Sequence, residues 1–449
     1  MPPGRILRGI SVAVSAVMVT SVTACGGEGD GFSGQTVTFW HSMAGKNGEA
    51  VAKLVADYNG RNTGKIRVQA IYQGKYNDAL TKLRASIQSR QTPNLVQVFE
   101  IGTKLMVDTK AVVPFADLAQ AGGFSLDDLE PGIARYYTVG GKLQSLPFNA
   151  SAPLLFYNKD AFKEAGLDPD KPPTTLAEMA KAAKKLTVKS GDSVSRYGFV
   201  ASIDGWLVEQ LLANAGVEYC DAGNGRAGAA TAVNWNTPTL KGIVDFWSTA
   251  VKDGVALNVG RNNTDASAAF QAGRAAMLPF TSANLRDIIG GAKFEVGVAN
   301  YVRPDDAEQG KGGVFNGGGS IWTLAGHPKE QQDAAFDFLK YLASPEAQAT
   351  WSTSTGYIAV NAKAQDTATY QEVLKTYPDF AKPAEELRAA ADVPAAQGCL
   401  MGAMPQARDK MNDIVESVIL GRATPETAIA DAETAMTPAI QSYNKSVGQ

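Results

Sequence analysis

Between Gln35 and Phe99 the hydrophobic period switches from two residues to about 3.6 and back, twice over. Val37 and Phe39 alternate with polar neighbours across Gln35 to Trp40, as on a half-buried strand. Val51, Leu54, Val55 and Tyr58 then recur at helical spacing, with Asn47 as the expected cap. Ile66, Val68, Ala70 and Tyr72 alternate again. Leu80, Leu83 and Ile87 mark a helix over about Tyr76 to Ser89, and Leu95 to Phe99 reads as a third strand with Glu100 at its end. A β-α-β-α-β run calls for a parallel sheet with helices on its faces, and such sheets take ligands outside the carboxyl ends of their strands. Those ends carry Trp40-His41-Ser42, Tyr72 with Tyr76, and Glu100. Each residue alone is an ordinary surface or packing group; their convergence on one rim is the functional signal.

Leu143 to Phe162 follows this unit. It bends at Pro147 and Pro153, with Asn149-Ala150-Ser151 between, continues as apolar Leu154 to Tyr157, and ends in Asn158-Lys159-Asp160, which opens a helix. An apolar strand interrupted by an Asn/Ser pair reads as a chain crossing between two lobes, with the polar pair facing the space between them. At 449 residues, two domains are the prior. Asn149 stands between ligand contact and local turn support.

A second alternation follows. It contains a helix over Leu176 to Leu186 capped by Thr175, a strand over Tyr197 to Ala201, Asp204-Gly205-Trp206 leading into an apolar helix, and a Gly-rich surface loop over Ala222 to Ala229. Asp265 is the expected cap of a short helix, and Ala275 to Phe280 is a buried strand. Thr281-Ser282 then opens a helix, either as a cap or as an anion site on the free N–H groups; taken alone, capping is the better explanation. Asn316-Gly317-Gly318-Gly319 lets the backbone approach closely and reads as both a second crossing and a ligand wall. It lacks the spacing of a P-loop or a dinucleotide fingerprint. Thr355-Gly356-Tyr357 ends a helix in a Gly turn and presents the tyrosine. Met404, Arg408, Met411, Val415 and Val418 form an apolar stripe with one arginine in it. A buried guanidinium requires an internal carboxylate or a ligand anion, and either would satisfy it.

Hydrophobic residues at 45% and charged residues at 19% describe a globular chain, and a net charge of −3 without a basic cluster gives nucleic acid no electrostatic footing. The first residues differ: Arg5 and Arg8 precede an apolar run, Ile10 to Val22, that is too short to span a membrane. Val22-Thr23-Ala24-Cys25 resembles the bacterial lipoprotein signal, with an ordinary signal peptide cut at a small residue as the alternative. On the lipoprotein reading residues 1–24 are removed, Cys25 is lipidated, and residues 25–34 tether the chain to the outer face of the cytoplasmic membrane. Cys220 and Cys399 remain; a disulfide is permitted outside the cytoplasm, but two distant cysteines are weak grounds for one. His41 and His327 fall in no metal-ligand spacing.

Several pieces together are recognisable: Phe39-Trp40-His41-Ser42-Met43, Tyr72-Gln73-Gly74-Lys75-Tyr76, Gln97-Val98-Phe99-Glu100, Pro147-Phe148-Asn149-Ala150-Ser151, Tyr157-Asn158-Lys159-Asp160, Thr355-Gly356-Tyr357 and Met404-Pro405-Gln406-Ala407-Arg408. In these the chain resembles the extracellular solute-binding proteins of ABC importers, and among them the glycerol-3-phosphate-binding branch. The resemblance implies an α/β, two-lobed periplasmic-binding-protein fold of type II with several inter-lobe crossings. One lobe would hold residues 35–149 and about 319–365, the other about 150–318 and 366–449. It implies a ligand set of Tyr76, Glu100, Ser151, Thr281, Ser282, Gly318, Tyr357 and Arg408, with a glycerophosphate ligand, a permease partner, a monomer, no cofactor and no catalysis. Thr281 stands where the family favours Ser. Ile203 and Asp204 replace a Trp-rich segment, leaving Trp206 as a wall and room for a glycerophosphodiester such as glycerophosphocholine. A sugar receptor of the same fold and an extracytoplasmic phosphate-ester hydrolase are the rival readings.

Overall fold

The computed structural model describes residues 32–191 and 193–448, so the signal segment and Cys25 lie outside the described residues. The first strand, Gln35–His41, lies between Ile66–Tyr72 and Leu95–Phe99 and is parallel to both. Helices Gly45–Arg61 and Tyr76–Ser89 connect the three, as the alternating periods require. The first helix starts at Gly45, where the chain reverses at a φ of 54°, so Asn47 lies inside its first turn and is not the cap. Gly317–Leu324 joins this sheet antiparallel to Leu95–Phe99, and Leu146–Ser151 joins antiparallel to Gly317–Leu324.

The second sheet is built around Pro153–Asn158, antiparallel to Ala275–Thr281 on one side and to Val296–Asn300 on the other. Ser193–Ala201 runs parallel to Ala275–Thr281. Leu146–Ser151 and Pro153–Asn158 are therefore neighbours in sequence but belong to different sheets, and the fully buried Ala152 between them is the crossing. Ser282 holds it from the second lobe: its N–H donates to the Ala152 carbonyl at 2.9 Å, and its Oγ accepts from the Ala152 N–H at 3.2 Å. The chain returns over Tyr301–Asn316. It passes a third time after Tyr357, where the Ile358 N–H still donates to Ala150 of the first sheet at 2.7 Å. Met404–Ile419 then packs on Gly205–Asn214.

One buried apolar cluster runs from the first sheet into the helices of the second lobe, and a second, around Leu154, Phe156, Leu278 and Phe280, fills another face of the second sheet. Three further local expectations change. Helix Asn263–Gln271 is capped by Asn262, whose side chain accepts from the Thr264 N–H, and Asp265 sits in its first turn. The glycine-rich segment opens with a left-handed turn, Ala222, Gly223 and Asn224, rather than irregular loop. Cys220 and Cys399, 179 residues apart, form a disulfide. Closing so long a loop restricts the unfolded chain by an amount on the order of 5 kcal/mol in the chain-entropy account.

Candidate ligand-binding cleft

The rim of the first sheet is organised by Gln97, in the third strand and 1% exposed. Its Oε1 accepts from the Ser42 N–H at 2.8 Å, and its Nε2 donates to Asn149 Oδ1 at 2.7 Å. Asn149 Nδ2 in turn donates to the Tyr76 hydroxyl at 2.8 Å. Both ends of the Asn149 amide are thus used by the protein, which supports the crossing strand and holds Tyr76. Tyr76 stacks on Phe99 at 5.1 Å, and Tyr357 stacks on Trp351 at 5.3 Å. Burial pushes both phenols above the ordinary tyrosine range, and the Glu100 charge adds to it. Both stand as neutral O–H groups at the meeting of the lobes.

Helix Gly205–Asn214 faces this rim from the second lobe. Asp204 caps it, accepting from the Trp206 N–H at 3.0 Å and from Asn263 Nδ2 at 2.9 Å. Trp206, Glu209 and Gln210 fall at i, i+3 and i+4 and so share a face. Gln210 grips the second crossing by both atoms of its amide, at the Phe315 N–H and carbonyl, each at 3.0 Å. Trp206 lies against Gly317, where an added Cβ would come within 2.5 Å of the indole. Glu209 receives Arg408.

Arg408 joins the lobes. Its Nε and Nη2 donate to the two oxygens of Glu209 at 2.8 and 2.6 Å, and its Nη1 donates to Glu100 Oε1 at 2.6 Å. The three side chains are 15%, 2% and 3% exposed. The internal-carboxylate answer to a buried arginine is therefore realised, with two carboxylates instead of one. Burial by itself would lower the guanidinium pKa, but the Glu209 and Glu100 charges outweigh it and hold the group well above its ordinary value. Burial raises Glu209 and is only partly offset by Arg408.

The remaining residues expected at the site are placed as follows. Ser151 is buried at the last position before the crossing, opposite Gly317. Thr281 Oγ1 accepts from the Ala283 N–H at 3.2 Å, a cap, while the Ser282 N–H is bonded to Ala152. The Ser282 and Ala283 N–H groups of this turn are thus already engaged. Gly318 has a φ of 90°, and a Cβ there would sit 1.7 Å from the Asn149 carbonyl, so the backbone approach demands glycine. Ile203 is buried, three residues before Trp206.

Three polar atoms near these groups have no partner: Ser42 Oγ, Trp206 Nε1 and Asn316 Oδ1. Trp235, Trp322 and Trp351 also bury an unpartnered indole N–H. What separates Trp206 is its place, against Gly317 at the lobe junction. Sequence reasoning missed Glu209, and took in Gln97 and Asn316 only as members of longer stretches without a role of their own. The available signal for Glu209 was its position, with Gln210, inside the otherwise apolar run Trp206 to Ala213.

A family model described as bacterial extracellular solute-binding protein matches residues 53–382. The chain belongs to that family. This solute-binding protein is 32% identical over 416 residues to the sn-glycerol-3-phosphate-binding periplasmic protein UgpB of Escherichia coli K12, covering 92% of this chain and 94% of the relative. Identity to the protein of the same name from Salmonella typhimurium is 32% over 89% and 92% of the two chains. Among solved structures, UgpB from Mycobacterium tuberculosis in complex with glycerophosphocholine superposes with a TM-score of 0.73 at 20% identity, over 91% of this chain and 99% of that one. The cyclic alpha-maltosyl-1,6-maltose binding protein from Arthrobacter globiformis gives 0.71 at 24% identity, over 91% and 100%. Both establish the two-lobed fold of this solute-binding protein. Among the described residues no helix is long and apolar enough to cross a membrane.

Proposed function

We propose that this protein captures glycerol-3-phosphate or a glycerophosphodiester between its lobes and delivers it to an ABC permease, from an anchor at Cys25. The lobes would divide as residues 35–151 with about 317–365, and about 153–316 with 366–449, because Ala150, Ser151, Gly317 and Gly318, expected in the second lobe, pair within the first sheet. Ligand bridging the two would shift the chain toward its closed form, which the permease recognises. The observation that carries the reading is Arg408, a buried cation reaching from the second lobe to Glu100 of the first. A phosphate on its remaining N–H groups would touch both lobes at once. Glu100 accepts glycerol hydroxyls, Tyr76 and Tyr357 offer neutral donors, and Trp206 forms the wall, with Ser151, Ser282, Thr281 and Gly318 shaping the junction. The 32% identity to glycerol-3-phosphate-binding relatives supports the same ligand class.

One observation favours a second reading. Two carboxylates against one guanidinium leave an excess of acceptors beside aromatic rings, which suits a sugar. Titration calorimetry with glycerol-3-phosphate, glycerophosphocholine and maltose on one preparation separates the two. A glycerophosphate compound is expected to bind, and Arg408→Gln is expected to weaken it about 100-fold or more, as truncating a buried charge partner does. Saturable heat from maltose with none from either glycerophosphate overturns the reading.

A further inference from the structure

The cluster at the lobe junction holds two carboxylates and one guanidinium, all at least four-fifths buried. Glu209 occupies both Nε and Nη2 of Arg408, and Glu100 occupies Nη1. An anionic ligand, on the glycerophosphate reading above on which this inference rests, enters a site that already carries one negative charge in excess. Its phosphate would face Glu100 and Glu209 around a single cation, and like charges at such range in a water-poor site cannot all stay ionised.

We propose that anionic ligand binding draws one proton from solvent onto Glu209, whose carboxyl then donates its O–H to a ligand oxygen and shares Arg408 with it. One O–H bond forms on Glu209 for each ligand bound, and the net charge of the junction is unchanged when a singly charged phosphate arrives. Glu209 is the acceptor because both of its oxygens lie on Arg408, beside the arriving anion, whereas Glu100 gives the guanidinium only Oε1. The groups facing Glu209 favour it as well: Glu100 across the junction and Asp204 at the start of its own helix are carboxylates, Tyr219 and Tyr136 are neutral, and Arg408 is the cation bonded to it. Burial already holds the Glu209 carboxyl above the ordinary range. Glu209 is thus a positioning and specificity residue: it couples affinity to pH and favours ligands whose phosphate can accept a hydrogen bond.

The test is a proton inventory. Calorimetric titrations with glycerophosphoglycerol, whose phosphodiester does not itself titrate near neutrality, are run in buffers of different ionisation enthalpy. Close to one proton taken up per ligand is expected, with affinity rising toward tenfold per unit fall in pH. Should only glycerol-3-phosphate bind, the same count is made on the wild type and on Glu209→Gln, and the variant is expected to take up one proton fewer while still binding. Binding without proton uptake, an unchanged count in Glu209→Gln, or loss of binding in that variant overturns the proposal and leaves the glycerophosphate reading standing. Absence of binding by every glycerophosphate overturns both.

Discussion

The chain passes from the first sheet to the second at Ala152 and returns over Tyr301–Asn316, and the two passages treat their polar atoms differently. At the first, Gln97, Asn149 and Tyr76 bond one another in series, and Ser282 closes both backbone groups of Ala152. At the second, loose ends remain. Glu386 gives one oxygen to the Tyr301 N–H at 3.3 Å and leaves the other without a partner; Asn316 Oδ1 and Trp206 Nε1 are unpartnered at the far end. A buried polar group without a partner costs stability, so atoms that stay unpaired beside a cleft are those a ligand can satisfy. On the proposed function, Gln97 and Asn149 at the first crossing serve the fold, while the unpaired atoms of the second are left for ligand.

The largest effect should come where the two crossings touch. Gly318→Ala must place a Cβ against the Asn149 carbonyl at a positive φ, and a loss of about 3 kcal/mol in chemical denaturation is expected. A loss under about 1 kcal/mol would show that the strands can separate there. Glu386 comes next. Burial pushes its carboxyl up to about 7, above its ordinary 4.5, so between those values the folded chain holds a proton that the unfolded chain releases. Stability should therefore fall as pH rises through this window, by an amount on the order of 3 kcal/mol, and level off above it. Glu386→Gln should flatten the profile; an unaltered slope would assign it to other groups. Asn149→Ala leaves the Gln97 amide and the Tyr76 hydroxyl short of partners, and should cost about 1–3 kcal/mol of stability even without ligand. Trp206→Phe is the smallest change and the sharpest contrast. Unfolding should move by about 1 kcal/mol for the ring volume lost from a buried site, while ligand affinity should drop roughly tenfold, the value of one good hydrogen bond.

The parts of this molecule legible in the sequence are those with local causes. The switching periods of residues 35–99 specify the parallel unit, and Pro153, which has no N–H, starts its strand where the chain leaves the first sheet. Arg408 inside an apolar stripe correctly demanded an anion. Its identity did not follow, because Glu209 and Glu100 come from segments 199 and 308 residues away, and only tertiary packing brings them to one guanidinium. The same holds for Cys220 and Cys399. Thr281-Ser282 allowed either a cap or an anion site from its pattern; the cap is made at the Ala283 N–H, and the Ser282 N–H goes to the crossing, a partner no local pattern could show.

The central claim is that a glycerophosphate ligand occupies the junction between Arg408 and the second crossing. The most direct measurement follows the six indole N–H resonances in a 15N-labelled sample during titration with glycerol-3-phosphate or glycerophosphocholine, with Trp206→Phe used to assign the relevant peak. Trp235 and Trp322, fully buried in the core, serve as internal controls. The account predicts a downfield shift of the Trp206 proton that saturates with binding while the two controls move little. A Trp206 resonance that stays in place at full saturation, or that responds to maltose and not to either glycerophosphate, would contradict it.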